Sequence, residues 1–191
     1  MLRVYIAEDE PIVMLGFKKM VAASGHAVVG SAADGKTAVQ EILSLRPDVI
    51  LMDINLPEMD GITAIETIRK TCPIPAVVIT GYRNPGVFER ASAAGVFGYL
   101  QKPVDEYEIR SVLRIAVDRH QELAQVSRER DAAIAHLDER KTIERAKGIL
   151  MTEFGLSAPD AMRTLQKKSK DRNIKLAQIA GEIIRKSELL K

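Results

Sequence analysis

The chain has 191 residues, room for one large or two small domains, and its 46% hydrophobic and 28% charged composition is that of an ordinary soluble globular protein. No apolar run reaches membrane-spanning length, and the N-terminus lacks the basic-then-apolar pattern of a signal peptide. The single cysteine, Cys72, excludes an intramolecular disulfide and a multi-cysteine metal site, so a reducing cytoplasm is the expected compartment. The net charge of +2 hides an asymmetry: residues 1–120 carry 13 Lys+Arg against 15 Asp+Glu, residues 121–191 carry 15 against 11, and from Arg163 onward the count is 9 against 3. A basic tail on a mildly acidic front suggests a polyanionic partner. A solvated lysine-rich helix face accounts for the same counts, and on charge alone it is the simpler reading.

The first 120 residues alternate strand and helix. Val4–Ala7 is a short apolar strand ending in Glu8-Asp9-Glu10, and Pro11 opens a helix with Ile12, Leu15, Met20 and Val21 at helical spacing, closed by Gly25. Ala27–Gly30 is a second strand and Gly35–Leu45 a second helix. Val49–Met52 is a continuously apolar strand ending at Asp53, and Gly61–Arg69 is the next helix. Ala76–Thr80, Pro85–Ala94, Phe97–Leu100 and a helix from Asp105 complete the series. Five β/α units predict an α/β fold with a five-stranded, doubly wound parallel sheet of the flavodoxin-like kind. Right-handed crossovers then place all strand C-terminal ends along one edge, where open sheets bind ligands.

No Gly or Pro occurs between Pro103 and Gly148, so a long helix is expected there. A heptad frame runs through Leu113, Ala116, His120, Leu123, Ser127, Arg130, Ile134 and Leu137; three of the eight positions are polar, and a plain helical linker over 121–134 competes evenly with a coiled coil. Residues 135–191 predict a small three-helix all-α domain. Asp138 is a candidate cap for a helix ending at Gly155, Ser157-Ala158-Pro159-Asp160 reads as the start of the next, and Asn173 breaks it. Ile143, Ala146, Ile149 and Leu150, with Ala161, Met162, Leu165, Leu176, Ile179, Ala180, Ile183 and Ile184, are the candidate core.

In the predicted sheet Glu8 and Asp9 follow the first strand, Asp53 ends the third, Thr80 ends the fourth and Lys102 follows the fifth, so the five converge on one edge. Clustered carboxylates repel one another and raise their pKa values. A hard divalent cation offsets that repulsion, and Mg²⁺ favours oxygen ligands and accepts phosphate oxygens. A lysine and a threonine hydroxyl beside it suit a phosphoryl group, and a carboxylate there can serve as nucleophile toward phosphorus.

These strings, Glu8-Asp9-Glu10-Pro11, Leu51–Gly61, Thr80-Gly81 and Gly98–Pro103, resemble the receiver domains of two-component response regulators over about residues 1–120. The resemblance implies that Asp53 accepts a phosphoryl group from a sensor histidine kinase. It implies that Asp9, Asp53 and the backbone carbonyl of Asn55 ligate Mg²⁺ while Glu8 acts through water. Thr80 and Lys102 would bind the phosphoryl oxygens, Tyr99 would be the aromatic switch residue, and the Lys102-Pro103 bond would be cis. Glu8 stands where aspartate is commoner. A true aspartyl phosphatase would need a second carboxylate just after the nucleophile; position 55 is Asn, so the chain is expected to be a phosphoacceptor and not an enzyme on external substrates.

For the tail, DNA binding, RNA binding and protein docking all remain open on composition. Phe154 is the one aromatic after Tyr107, which disfavours base stacking on an aromatic sheet. The segment Leu137–Met151, with Ala146-Lys147-Gly148-Ile149-Leu150-Met151 as its most specific string, and Gly155-Leu156-Ser157, Ala161, Leu165 and Asn173–Ala180 resemble the ANTAR domain over about 135–188. The resemblance implies a three-helix module that binds paired hairpins in leader RNA and prevents transcription termination. Lys168-Ser169-Lys170 is more charged than is usual in that family. The RNA-binding candidates are Arg145, Lys147, Arg163, Lys167, Lys170 and Lys175, a homodimer on phosphorylation is expected, and Gly148 is read as a point of close helix or RNA approach.

Overall fold

The computed structural model describes residues 1–81 and 85–188; Lys191, one of the basic residues counted in the tail, lies outside them. The element order is β1 (Arg3–Ala7), α1 (Pro11–Ala23), β2 (Ala27–Ala32), α2 (Gly35–Leu45), β3 (Val49–Asp53), α3 (Gly61–Thr71), β4 (Ala76–Thr80), α4 (Pro85–Ala93), β5 (Gly98–Gln101), α5 (Glu106–Phe154), α6 (Ala158–Arg172) and α7 (Leu176–Glu188). The chain divides into two compact units, Met1–Ala124 and Gln125–Lys191. No helix among the described residues is long and apolar enough to cross a membrane.

The first unit is a five-stranded parallel sheet in the order β2-β1-β3-β4-β5, the doubly wound arrangement the β/α alternation predicts. Strand side chains point alternately to the two faces, and both faces of the central strands β1, β3 and β4 are buried. Tyr5, Ala7, Ile50, Met52, Ala76 and Val78 pack with residues of α2, α3 and α4. Val4, Ile6, Val49, Leu51, Val77 and Ile79 pack with Phe17 and Val21 of α1 and with Ile109, Leu113, Ala116 and Val117 of α5. Burial on both faces explains why β3 and β4 read as unbroken apolar runs.

Helix starts follow local chemistry. Asp34 Oδ1 accepts from the Thr37 amide at 2.7 Å, and Asp60 Oδ1 accepts from the Thr63 amide at 3.2 Å while Thr63 Oγ1 donates to Asp60 Oδ2. Each cap satisfies amides that a helix N-terminus leaves unpaired. In the second unit Ser157 caps α6, its Oγ accepting from the Asp160 amide at 3.3 Å. Gly155 (φ 65°) follows α5 and Asn173 (φ 51°) closes α6, both in the left-handed region such stops favour. Ala146, Leu150, Ala161, Leu165, Ile179, Ala180 and Ile184 form the small core shared by the three helical segments.

Four expectations need correction. Ile12 and Leu15 are largely exposed and Phe17 takes the inward position of α1 with Val21; the apolar stripe is wider than the buried one. The heptad frame does not begin as a seam, because Leu113 and Ala116 are fully buried in the sheet-covering core and His120 lies edge-on to Phe97 at 5.3 Å. Asp138 caps nothing: α5 runs unbroken through the expected linker, and the Asp138 carbonyl accepts from Thr142 Oγ1 one turn on. A Cβ at Gly148 would meet nothing within 4 Å, so no helix approaches closely there.

Candidate functional site

The acidic edge is built by the ends of β1, β3 and β4 and the segment after β5. Glu8 follows β1, and its amide donates to the Ala32 carbonyl at 3.0 Å, which ties it to the neighbouring strand. Asp53 is the last residue of β3, and Thr80 the last of β4. The Lys102 amide donates to the Thr80 carbonyl at 2.9 Å, and the Lys102-Pro103 peptide is cis, as the resemblance implies. Glu8, Asp53 and Thr80 are nearly inaccessible, at 1%, 4% and 2% exposure, whereas Asp9 faces solvent. A carboxylate oxygen from each of Glu8, Asp9 and Asp53 lies within 4.8 Å of the others.

Lys102 bridges two of these acids. Its Nζ donates to Asp53 Oδ2 at 2.5 Å and to Glu8 Oε1 at 3.0 Å, and Glu10 lies at 3.9 Å. Glu8 Oε2 is 2.9 Å from the same ammonium as an ion pair but accepts no hydrogen bond. Asp53 Oδ1 accepts from the Asn55 amide at 2.9 Å. Burial raises the Glu8 pKa, with the Asp53 charge adding to it and Lys102 opposing it. Burial works against the Lys102 charge as well, but its bonds to Asp53 and Glu8 outweigh that and hold its pKa above the usual value.

A divalent cation fits this donor set. Three hard carboxylates converge, one buried carboxylate oxygen lacks a hydrogen bond, and one ammonium cannot neutralise three negative charges. Tyr99, the switch candidate, is half-buried on β5 against the α2–α4 core, with Phe88 of α4 edge-on at 6.0 Å.

The site also depends on residues the sequence reading did not single out. A Cβ on Gly61 would lie 2.0 Å from the Asp53 carbonyl oxygen, and the Gly61 amide donates to the Ile54 carbonyl at 2.9 Å. Asp60 caps α3 directly behind and pairs with Arg90 at 3.2 Å. The Asp60-Gly61 pair ahead of an apolar helix was the available signal for both.

In the second unit the basic candidates separate into two groups. Arg145 pairs with Glu188 at 2.7 Å, Lys147 with Glu144 at 2.6 Å, and Arg163 with Asp160 at 3.3 Å. Lys167, Lys170 and Lys175 are exposed and make no ion pair among the described residues. Arg163, Lys167 and Lys170 stand at i, i+4 and i+7, on the face of α6 opposite buried Ala161 and Leu165. Arg172, not among the candidates, makes a two-pronged pair with Glu182 of α7. Ser169, in the unusually charged stretch, donates to the Ile174 carbonyl at 2.6 Å and so braces the α6–α7 turn.

Comparison with known proteins agrees with both halves. Residues 4–114 match the family described as the response regulator receiver domain, and residues 131–184 match the ANTAR domain. A curated relative, the transcriptional regulatory protein PdtaR of Mycobacterium tuberculosis, is 34% identical over 182 residues, covering 95% of this chain and 89% of that protein. The receiver domain of a modulated diguanylate cyclase from Desulfovibrio desulfuricans superposes with a TM-score of 0.60 at 29% identity, covering 63% of this chain and 97% of that one. The receiver domain of the response regulator NarL from Mycobacterium tuberculosis superposes at 0.59 and 29%, covering 61% and 96%.

Proposed function

The chain belongs to the response regulators that carry a receiver domain followed by an ANTAR domain, and from that premise we propose that phosphorylation of Asp53 by a sensor histidine kinase switches the second unit to bind leader RNA hairpins and prevent transcription termination. The observation that carries the first half is the bridge from Lys102 to Asp53 and Glu8 at the sheet edge.

Asp53 is the nucleophile in this reading. One of its carboxylate oxygens forms a bond to phosphorus as the bond to the kinase histidine nitrogen breaks. Glu8, Asp9, Asp53 and the Asn55 carbonyl would hold Mg²⁺, which supplies positive charge for the phosphoryl oxygens and the crowded carboxylates. Lys102 already lies against Asp53 and would shift its bond from the carboxylate to a phosphoryl oxygen. Thr80, at the end of the adjacent strand, would donate its hydroxyl to another. The added charge of about −1.5 to −2 then draws both groups inward, and Tyr99 with Phe88 repacks the α4–β5 face. That repacked face would pair two copies, so the active form is a homodimer. The chain acts on no external substrate; it catalyses its own phosphoryl transfer and slow hydrolysis in the cytoplasm.

Two tests separate the halves. Incubation with acetyl phosphate and Mg²⁺ should label the wild type and leave Asp53→Ala unlabelled; equal labelling would overturn the phosphoacceptor. Binding of tandem-hairpin RNA, with duplex DNA as competitor, should strengthen on phosphorylation. Preference for duplex DNA would make the second unit a DNA-binding output, and affinity for neither would leave protein docking.

A further inference from the structure

A trough on the outer side of α7 is lined by Ile174, Gln178, Gly181, Glu182 and Arg185, with a volume of about 640 Å³. Gln178, Gly181 and Arg185 recur at i, i+3 and i+7, so they form one stripe along the helix. Buried Ala180, Ile184 and Ser187 take the opposite side.

Gly181 is the anomaly in this stripe. It lies inside a helix, where glycine is less favourable than alanine. Neither of the usual reasons for a glycine applies. Its φ is not in the left-handed region, and a Cβ there would meet nothing within 4 Å. Within the chain, then, nothing needs the missing side chain. What its absence does is deepen the trough floor to the helix backbone.

One unpaired cation lines the trough, because its single lining acid, Glu182, is already paired with Arg172. Arg185 lines the trough, and exposed Lys175 and Lys186 stand next in the chain to the lining residues Ile174 and Arg185. None of the three makes an ion pair among the described residues. Arg172 reaches across from α6 and holds Glu182 in a two-pronged pair, which keeps the Glu182 carboxylate ionised, neutralised and pinned to one side. The Gln178 side-chain amide makes no hydrogen bond among the described residues, and an amide carries both donors and an acceptor.

We infer that this trough takes an unpaired base of the RNA loop, with Gln178 meeting the base edge, Gly181 admitting its face against the helix, and Arg185 and Lys175 holding the flanking phosphates. The inference rests on the RNA reading of the second unit. It assigns sequence recognition to α7 and leaves the Arg163–Lys167–Lys170 stripe of α6 to general phosphate contact. Unpaired loop bases are the accessible part of such a target, since side chains cannot read the narrow groove of A-form RNA. An unpaired cation and an amide-lined floor suit a base with its phosphates better than an apolar protein segment.

The test uses the phosphorylated full-length chain and tandem-hairpin RNAs selected on the wild type from a pool with randomised loops. Each selected RNA is remade with abasic loop positions, which keep the phosphates and remove the bases. The wild type should lose at least tenfold in affinity on some abasic position. Gly181→Met fills the trough while favouring the helix, so it should fold as well as the wild type and abolish that loss. Gly181→Ala fills little and should retain most of the base dependence, and Gln178→Ala should reduce it. A Gly181→Met protein that still distinguishes intact from abasic loops overturns the trough while leaving RNA binding in place. Failure of the wild type to select any RNA overturns both.

Discussion

Replacing Gly61 with alanine should damage phosphorylation without touching a single reacting group. The new Cβ would sit 2.0 Å from the Asp53 carbonyl oxygen, 2.9 Å from Met52 Cγ and 3.0 Å from the Asp53 carbonyl carbon. Side-chain carbons keep at least 3.0 Å from such atoms, so the carbonyl or the start of α3 must give way by about 1 Å. Neither is a flexible side-chain end. Asp53 is the last residue of β3, paired to Ile79 of β4, and α3 is anchored by the Asp60 cap and by the Gly61 amide on Ile54. Overpacking of this kind costs about 1–3 kcal/mol, and a displacement near 1 Å at a reacting group can cost on the order of 100-fold in rate. Gly16 of α1 is the control: a Cβ there meets nothing within 4 Å, so Gly16→Ala should be neutral or stabilise by roughly 0.5–1 kcal/mol. Urea unfolding measures the first quantity and the rate of labelling by acetyl phosphate with Mg²⁺ the second. Wild-type stability and wild-type labelling in Gly61→Ala would refute the reasoning, because the contact that locks Asp53 to α3 would then not matter.

Lys102→Ala leaves Glu8 and Asp53 without the ammonium between them, so the variant should be less stable than the wild type without metal and gain a larger rise in Tm on adding Mg²⁺; an equal rise in both proteins counts against a shared cation site. Burial beside Phe97 holds the His120 pKa below its ordinary value, so its contribution to stability is complete above a pH of about 6.5 and is lost as pH falls through the lower folded value. The wild type should therefore lose more stability than His120→Gln between pH 7 and 5 by chemical denaturation, and parallel curves would refute it. Light scattering should show a doubling of mass with phosphodonor, and a monomer in both states would remove the dimer from the mechanism. Lys167→Ala and Lys170→Ala should weaken RNA binding at every loop sequence and flatten its salt dependence, whereas Arg145→Ala, which removes a group already paired with Glu188, should do less; the reverse order would place the contact surface on α5.

Legibility in the sequence tracked the range of the interactions involved. The strands β3 and β4 were readable because a sheet covered on both faces needs apolar residues without interruption, and Asp53 and Thr80 stand where those runs stop. Helix starts at Pro11, Gly35 and Ser157 follow from caps and first-turn residues acting over four positions. What failed was any inference about which of several apolar residues on a helix meets a partner. Ile12 and Leu15 match the helical period as well as Phe17 does, but only the sheet surface decides which stripe it covers. The first positions of the heptad frame were misread for the same reason. Leu113 and Ala116 keep the spacing of a seam, yet the apolar face of β1, β3 and β4 claims them.

The same distinction runs through the two candidate sites. In the receiver pocket each residue stands at a strand end or just after one, so the topology that was legible also placed the site, and what folding adds is the bridging of Glu8 and Asp53 by Lys102. In the second unit no such edge exists. Charge counts treat all cations alike, whereas folding pairs Arg145, Lys147, Arg163 and Arg172 with carboxylates that lie three to forty-three positions away. The pairs at three positions could have been anticipated from helical spacing. The longer ones depend on how α5, α6 and α7 pack, and so does the fact that Gly181 opens onto space. Exposed ion pairs are individually weak, typically about 0–1 kcal/mol, so a phosphate could compete for any of these cations. That is why the proposed recognition rests on the shape of the trough at Gly181 and the amide of Gln178, which a change in ionic strength does not alter, and not on the number of lysines around it.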